Sequence, residues 1–389
     1  MNLFRLSRRS FVRACSSMMV LPVIKKLTAQ TTRRTYRNPL PVVAADPYIL
    51  KAPDGTYYMY DTGGSGVGVG VSDSTMSFPA HTSKNLIDWR PIGLTLKRDP
   101  ATSWGTDFFW APEVYYRNGK YVMVYSAQWR NNPTHEDENF RIGIAVSDSP
   151  RGPFVDLKNE PLFDPGWPVI DADVLFDDDG RCFMYFSRCC YKHAVDTELS
   201  ELVKKKGWFQ TVEESWIYGI EIKPDFSGVI GEPVLVLRPS VKLEEPYTAW
   251  ENVSVMTREV NRRWTEGPTA FKNNGTYFVM YSANSVFGDN YALGYATSAS
   301  PLGSYVKASN NPVARKNTDR GGEVTTTAHN CIALSPDGSE MFCIYGARTK
   351  STGNERVLFV NRMEVQKDGT LVVYAPDTVT EHPMPSGSV

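Results

Sequence analysis

Three carboxylates and one histidine recur at a common place in a repeated pattern of this chain. Nine residues before Gly55, Gly119, Gly180, Gly275 and Gly338 stand Asp46, Trp110, Asp171, Glu266 and His329. Acid–base chemistry needs groups of this type held close together. Burial and neighbouring charge then separate their pKa values, so that one keeps a proton to give while another stays ionised to receive one. Taken singly, each has a plainer reading, since Asp46-Pro47 starts a turn and Glu266-Gly267-Pro268 ends an element. The shared register favours the functional reading, because like charges converging on one place repel and are kept there for a use.

The five glycines themselves say what positions these residues. Asp54-Gly55, Asn118-Gly119, Asp179-Gly180, Asn274-Gly275 and Asp337-Gly338 are tight-turn dipeptides that accept positive φ, so each marks a hairpin. The return strands match one another: Tyr57 to Tyr60, Tyr121 to Tyr125, Phe183 to Phe186, Tyr277 to Tyr281 and Met341 to Tyr345 are aromatic and β-branched runs suited to buried strands. Further strand-like stretches follow at Val67 to Ser72, Ile142 to Ser147, Ile217 to Ile222, Ala292 to Thr297 and Val357 to Val365. Ser149-Pro150-Arg151-Gly152-Pro153-Phe154 and Ser300-Pro301-Leu302-Gly303-Ser304-Tyr305 are two copies of one turn segment. Self-similarity at this period marks a repeat fold. Five units of about four strands predict an all-β, five-bladed β-propeller formed as one catalytic domain by residues 31–389. The first strand of each blade lies nearest the axis, so Asp46, Asp171 and Glu266 are expected to meet at one mouth of the channel.

Composition narrows the function. A length of 389 residues with 41% hydrophobic content supports a large core, and a net charge of −1 without a long basic run excludes a phosphate-neutralising surface for nucleic acid. Residues 1–30 read as an export segment: Arg5, Arg8 and Arg9 precede a short apolar run ending near Ala29, and Ser7 to Val12 resembles a twin-arginine signal. That places the mature protein outside a bacterial cytoplasm, periplasmic or extracellular. No later stretch is long and apolar enough to span a membrane. Beyond Cys15, the cysteines Cys182, Cys189, Cys190, Cys331 and Cys343 are odd in number and lack metal-type spacing, so they form neither a disulfide framework nor a zinc site; Cys182 and Cys343 read as core residues, and Cys189 and Cys190 would be more reactive if exposed.

No Gly-x-Ser-x-Gly, phosphate loop or His-Glu-x-x-His occurs. Carboxylates facing one another across a pocket suit glycoside hydrolysis, in which one carboxylic acid protonates the departing oxygen and one carboxylate activates water or attacks the sugar. A third carboxylate raises and orients the acid. Trp110 shares the register and would offer an indole to a sugar ring, with Phe108, Phe109 and Trp104 just upstream as further wall; burial in the core is the alternative for Trp110. Glu113, Asp173 and Glu251 fall outside the register and are not taken as acid or base. Asp173 is expected on the same face as Asp171, deeper along the channel.

Over about Asn38 to Asp368 these residues resemble glycoside hydrolase family 43. Ala45-Asp46-Pro47-Tyr48-Ile49 is similar to its general-base segment, the run from Ile170 to Gly180 to its pKa-modulating segment, and Thr265-Glu266-Gly267-Pro268 to its general-acid segment. Trp110-Ala111-Pro112-Glu113-Val114 and Ser83 to Trp89 resemble other family features. The resemblance implies an inverting glycosidase in which Asp46 activates water, Glu266 protonates the glycosidic oxygen, and Asp171 tunes Glu266. Ala172 is a departure, standing where the family usually has proline. The resemblance also implies a histidine near the channel axis, placing His329 as an anchor, through water, for a structural calcium; a satisfied core histidine is the equal alternative. No cofactor is required. The implied substrates are arabinofuranosyl or xylosyl linkages of plant polysaccharides, with exo-α-L-arabinofuranosidase first and endo-arabinanase or β-xylosidase next. A non-catalytic carbohydrate-binding propeller is the reading from another class, and a propeller phosphorylase would require a phosphate pocket for which Arg188, Arg320 and Arg348 form no clear cluster. The extra residues between Arg188 and Trp264, with Lys204-Lys205-Lys206 as a solvated loop face, are the one break in the repeat.

Overall fold

The aromatic and β-branched runs build five antiparallel four-stranded sheets, each made of strands consecutive in sequence except the third, whose second and third strands are separated by a strand of a small accessory sheet. In a computed structural model that describes residues 34–62, 77–133, 135, 138–240, 249–252, 255–256, 260–376 and 381–388, the chain from Thr35 onward forms one compact unit. Blade one comprises Tyr48–Lys51, Tyr57–Tyr60, Pro79–Ser83 and Arg90–Leu94. Blade two comprises Trp110–Arg117, Lys120–Gln128, Phe140–Ser147 and Val155–Asp156. Val169–Phe176, Cys182–Arg188, Trp216–Ile222 and Val229–Leu237 form blade three. Blade four runs through Thr265–Asn273, Thr276–Ala283, Ala292–Ser298 and Val306–Lys307, and blade five through Val324–Leu334, Met341–Thr349, Val357–Val365 and Leu371–Val373. The protein is a five-bladed β-propeller, as its repeats predict. The third strand of blade one is Pro79–Ser83; the expected strand Val67 to Ser72 lies outside the described residues, as does the expected export segment.

The second strand of each blade is the most deeply packed. Tyr57, Met59 and Tyr60 are fully buried, as are Phe183 to Phe186, Val279 to Tyr281 and Phe342 to Tyr345. Burying a side chain of this size contributes about 1.5–3 kcal/mol. These strands pack against their neighbours in continuous clusters at the blade boundaries, which hold the inner strands in place.

Each inner strand then departs from regular pairing at the same point. Trp110 pairs with Ser126 but Glu113 with Val124, Ile170 with Ser187 but Asp173 with Tyr185, Glu266 with Ser282 but Thr269 with Met280, and Ala328 with Gly346 but Asn330 with Tyr345. In blade one Thr62 donates to the Ala45 carbonyl at 2.8 Å while Tyr48 pairs with Tyr60. Every blade thus carries a one-residue β-bulge, and its bulged residue lies in the left-handed region: Asp46, Ala111, Asp171, Gly267 and His329, with φ between 44° and 58°. Proline follows in three of them, Pro47, Pro112 and Pro268, where no ladder donor is needed.

The bulges refine the register. Blades two and four turn on two residues, Asn118-Gly119 and Asn274-Gly275, whereas blades one, three and five use longer turns. Nine residues back from the glycine therefore reaches the bulged residue in blades one, three and five, but the residue before it, Trp110 or Glu266, in blades two and four. A bulge turns two successive side chains to one side, so both positions still face the same mouth.

The N-terminal stretch closes the ring along blade five. Leu40 and Ala44 donate to the carbonyls of Leu358 and Arg356, and Thr35–Tyr36 pairs with His382–Pro383. The extra residues of the third unit form helix Glu198–Lys205 and a small sheet in which Thr211–Glu214 lies parallel to Val260–Arg263. Lys204 and Lys205 are thus the last turn of a helix, whose C-terminus favours cations, rather than loop residues.

Candidate active site

A hydroxyl from each of blades one to four reaches across to the bulge of the next. Thr62 Oγ1 accepts from the Ala111 N–H at 2.9 Å, Ser126 Oγ from Asp171 at 2.9 Å, Ser187 Oγ from Gly267 at 3.2 Å, and Ser282 Oγ from His329 at 2.8 Å. The three serines are fully buried. A bulge leaves its extra N–H without a ladder partner, and these side chains supply one while tying adjacent blades together. The fifth seat is Gly346, where a Cβ would stand 2.6 Å from the Ala44 carbonyl oxygen. There the seam is closed by an ion pair instead: Arg356 contacts Asp46 through Nη1–Oδ1 at 2.5 Å and Nη2–Oδ2 at 3.3 Å.

The bulged positions meet at a cavity of about 410 Å³ to which all five blades contribute. Asp46, Asp171, Glu266 and His329 line it, each less than a tenth exposed. Gly267, in the left-handed conformation, lets His329 come close, for a Cβ would lie 3.1 Å from its Nδ1. Asp46 is held by the Arg356 pair, by the Thr62 hydroxyl at 2.7 Å and by His329 Nδ1 at 3.0 Å from Oδ1. Burial opposes its charge, but the charges of Arg356 and His329 and the hydrogen bonds from Arg356 and Thr62 outweigh that and lower its pKa to about 2. Glu266 has the opposite environment. Burial is the largest influence, the charges of Asp46 and Glu138 act in the same direction, and the Tyr291 hydrogen bond and Arg356 only partly offset them; its pKa is pushed up to about 7. Asp171 is also raised, by burial and by the charges of Glu266 and Asp46, against His329 and the Gly267 N–H. One cavity therefore holds a carboxylate that remains ionised and a carboxyl group that retains its proton near neutrality, the pair of states that acid–base catalysis requires.

Trp110 lies on the wall as the register predicts, half-buried and stacked on Phe140 at 4.4 Å between ring centroids. Phe109 and Trp104 do not. Phe109 packs against Tyr125 with Arg98 over its other face, and Trp104 donates from Nε1 to the Tyr125 hydroxyl; both are 3% exposed, inside the blade core. Phe108, the third of the upstream aromatics, is in the left-handed region and does line the wall. Asp173 does lie buried beyond Asp171, accepting from the Ala270 N–H at 2.8 Å and paired with Glu113, to which the Tyr115 hydroxyl donates. Glu251 is buried against Lys307. Arg356, Tyr291, Glu138 and Phe140 are cavity residues outside the sequence register. Both ends of the third-unit insertion reach the wall, through Cys189, Tyr191 and Trp264.

His329 does not sit in a protein-built calcium shell. Its Nδ1 faces Asp46, and no group of three or more His, Cys, Asp or Glu side chains among the described residues is arranged for a metal ion. A hard cation takes six to eight oxygens, so a calcium beside His329 would be held mainly through water.

The profile of Glycosyl hydrolases family 43 matches residues 36–371. The chain is 28% identical over 371 residues to the beta-D-galactofuranosidase of Aspergillus niger, covering 90% of this chain and 88% of that one. It is 24% identical to the extracellular exo-alpha-(1->5)-L-arabinofuranosidase of Streptomyces chartreusis, over 88% and 92% of the two chains. The crystal structure of a thermostable family-43 glycoside hydrolase shares 34% identity and a TM-score of 0.74, covering 91% of this chain and all of that one. Fold, cavity and neighbours define a propeller glycosidase. The chain belongs to glycoside hydrolase family 43.

Proposed function

We propose that the protein is an inverting exo-α-L-arabinofuranosidase, with Asp46 as general base, Glu266 as general acid and Asp171 as the group that tunes and orients Glu266. The observation that carries this reading is the split between the two carboxyl groups: Arg356 keeps Asp46 ionised while burial keeps Glu266 protonated. Water placed against Asp46 loses its proton to the carboxylate as it attacks the anomeric carbon, and Glu266 gives its proton to the departing oxygen. A single displacement of this kind inverts the anomer and needs carboxyl groups about 6.5–9.5 Å apart to admit the water. Trp110, braced by Phe140, covers the apolar face of the sugar.

The Streptomyces relative is described as exo-acting on arabinofuranose, which favours removal of one terminal residue in the cavity walled by all five blades. The Aspergillus relative favours a second substrate, since β-D-galactofuranose repeats the ring configuration of α-L-arabinofuranose with one more hydroxymethyl carbon. A xylosidase/arabinosidase of Humicola insolens, 29% identical over 295 residues, keeps β-xylosides in view. The basic and apolar residues 5–29 support export, in keeping with the extracellular Streptomyces relative.

The test compares wild type with Glu266→Gln on α-L-arabinofuranosyl, β-D-galactofuranosyl and β-D-xylosyl oligosaccharides and on linear arabinan. Release of single arabinose units, reduced by about 10²–10⁴-fold in the variant, supports the reading. Internal cleavage of arabinan, a preference for another sugar, or an unimpaired variant would each overturn the corresponding part.

A further inference from the structure

The loop joining the second and third strands of blade four runs from Glu266's neighbourhood out to solvent. At its inner end Tyr291 is 2% exposed and hydrogen-bonds Glu266. At its tip Phe287 is 68% exposed, yet borders the same cavity. A lone exposed phenyl on a surface is ordinary, but this one is held out by an unusually well-tied loop. Asn284, in the left-handed region, closes the loop base by donating to the carbonyls of Asn290 at 2.8 Å and Trp250 at 2.7 Å. Ser285 turns the tip, its Oγ accepting from the Phe287 N–H at 3.2 Å and its carbonyl from Gly288 at 3.0 Å. Arg348, 5% exposed, grips the Val286 carbonyl while its Nε donates to the Asn354 carbonyl at 2.9 Å.

We propose that Phe287 is the platform of a leaving-group subsite, on which the neutral sugar ring released by the reaction stacks before it departs. The inference rests on the proposed role of Glu266. The acid protonates the departing oxygen, so the leaving group lies on the acid's side of the cavity, and the outward path from Glu266 follows its own blade past Tyr291 to the tip. A sugar ring presents a C–H face suited to a phenyl ring, and the ties on both sides of Phe287 mean that little ordering is left to be done on binding. Chain beyond the cleaved bond, rather than the buried terminal sugar, is what this platform reads.

Phe287→Ala and Phe287→Trp are compared with wild type on a disaccharide and a trisaccharide of the preferred linkage, with the free monosaccharide product as competitive inhibitor and thermal melting as a structural control. The expected result is a roughly tenfold loss in kcat/KM for both the disaccharide and the trisaccharide, carried by KM, with recovery in the Trp variant and with monosaccharide inhibition and Tm unchanged. Oligosaccharide kinetics unaltered by Phe287→Ala would overturn the proposal, and so would equal weakening of monosaccharide inhibition, which would move Phe287 to the terminal-sugar site. A wild type that cleaves no glycoside would instead remove the reading of Glu266, and the subsite with it.

Discussion

Replacing Arg356 with alanine should move both limbs of the pH–rate profile upward. In the wild type the guanidinium lies directly on Asp46 and helps hold its pKa at about 2, against an ordinary value of 3.8. That separation of nearly two units corresponds, at 1.36 kcal/mol per unit, to roughly 2.4 kcal/mol of preference for the ionised form. Without Arg356, burial, already the largest influence on Asp46, is opposed only by His329 and Thr62, and the acid limb is expected at or above 3.8. Arg356 also lowers the pKa of Glu266, so its loss lets that group rise further and carries the alkaline limb upward as well. The assay is kcat/KM against pH on an unactivated oligosaccharide, where the departing oxygen needs its proton, with Arg356→Lys as the conservative control. Lysine keeps the charge but not the two-pronged geometry, and should restore part of the acid-limb position. A uniform fall in rate with both limbs unmoved would refute the electrostatic role assigned to Arg356.

Ser126→Ala removes the acceptor of the Asp171 N–H in a fully buried place, and should cost about 1–3 kcal/mol in unfolding free energy; denaturant melts check it, and Ser126→Thr should recover most of the loss. If the hydroxyl also positions Asp171, the alanine variant will show a shifted alkaline limb, which a purely structural loss would not produce. Asp173, raised from 3.8 to about 7 chiefly by burial, binds its proton more tightly folded than unfolded. Its stabilising contribution is therefore complete below about 3.8 and declines as pH rises through about 7. Asp173→Asn keeps an acceptor for Ala270 but cannot titrate, so the wild-type-minus-variant difference in Tm should fall steadily between those pH values; a difference independent of pH would contradict the buried-proton account.

The number of blades was legible because each repeat is punctuated by an Asx-Gly turn before an aromatic strand, signals that depend only on neighbours in sequence. The convergence of Asp46, Asp171, Glu266 and His329 followed from that period. The bulges were written less openly, in prolines that interrupt inner strands after Asp46, Ala111 and Gly267, and they explain why the orientation of the upstream aromatics was not readable from spacing. With left-handed residues at Phe108 and Ala111, side-chain parity upstream of Trp110 is reset, so Phe108 lines the cavity while Phe109 and Trp104 turn inward. Arg356 had no local signal at all. It reaches Asp46 across 310 residues of sequence, and the contact exists because the N-terminal stretch closes the ring against blade five. Tyr291, at the end of an irregular loop, was hidden for the same reason.

The central claim is that Asp46 and Glu266 act together on one water and one glycosidic oxygen in a single displacement. Proton NMR of the anomeric signal during the first minutes of hydrolysis, before the free sugar equilibrates, tests it directly. The account predicts that the first-formed sugar has the anomeric configuration opposite to that of the bond cleaved. A first product of retained configuration would mean that a carboxylate attacks the sugar itself, and would contradict the roles given to Asp46 and Glu266.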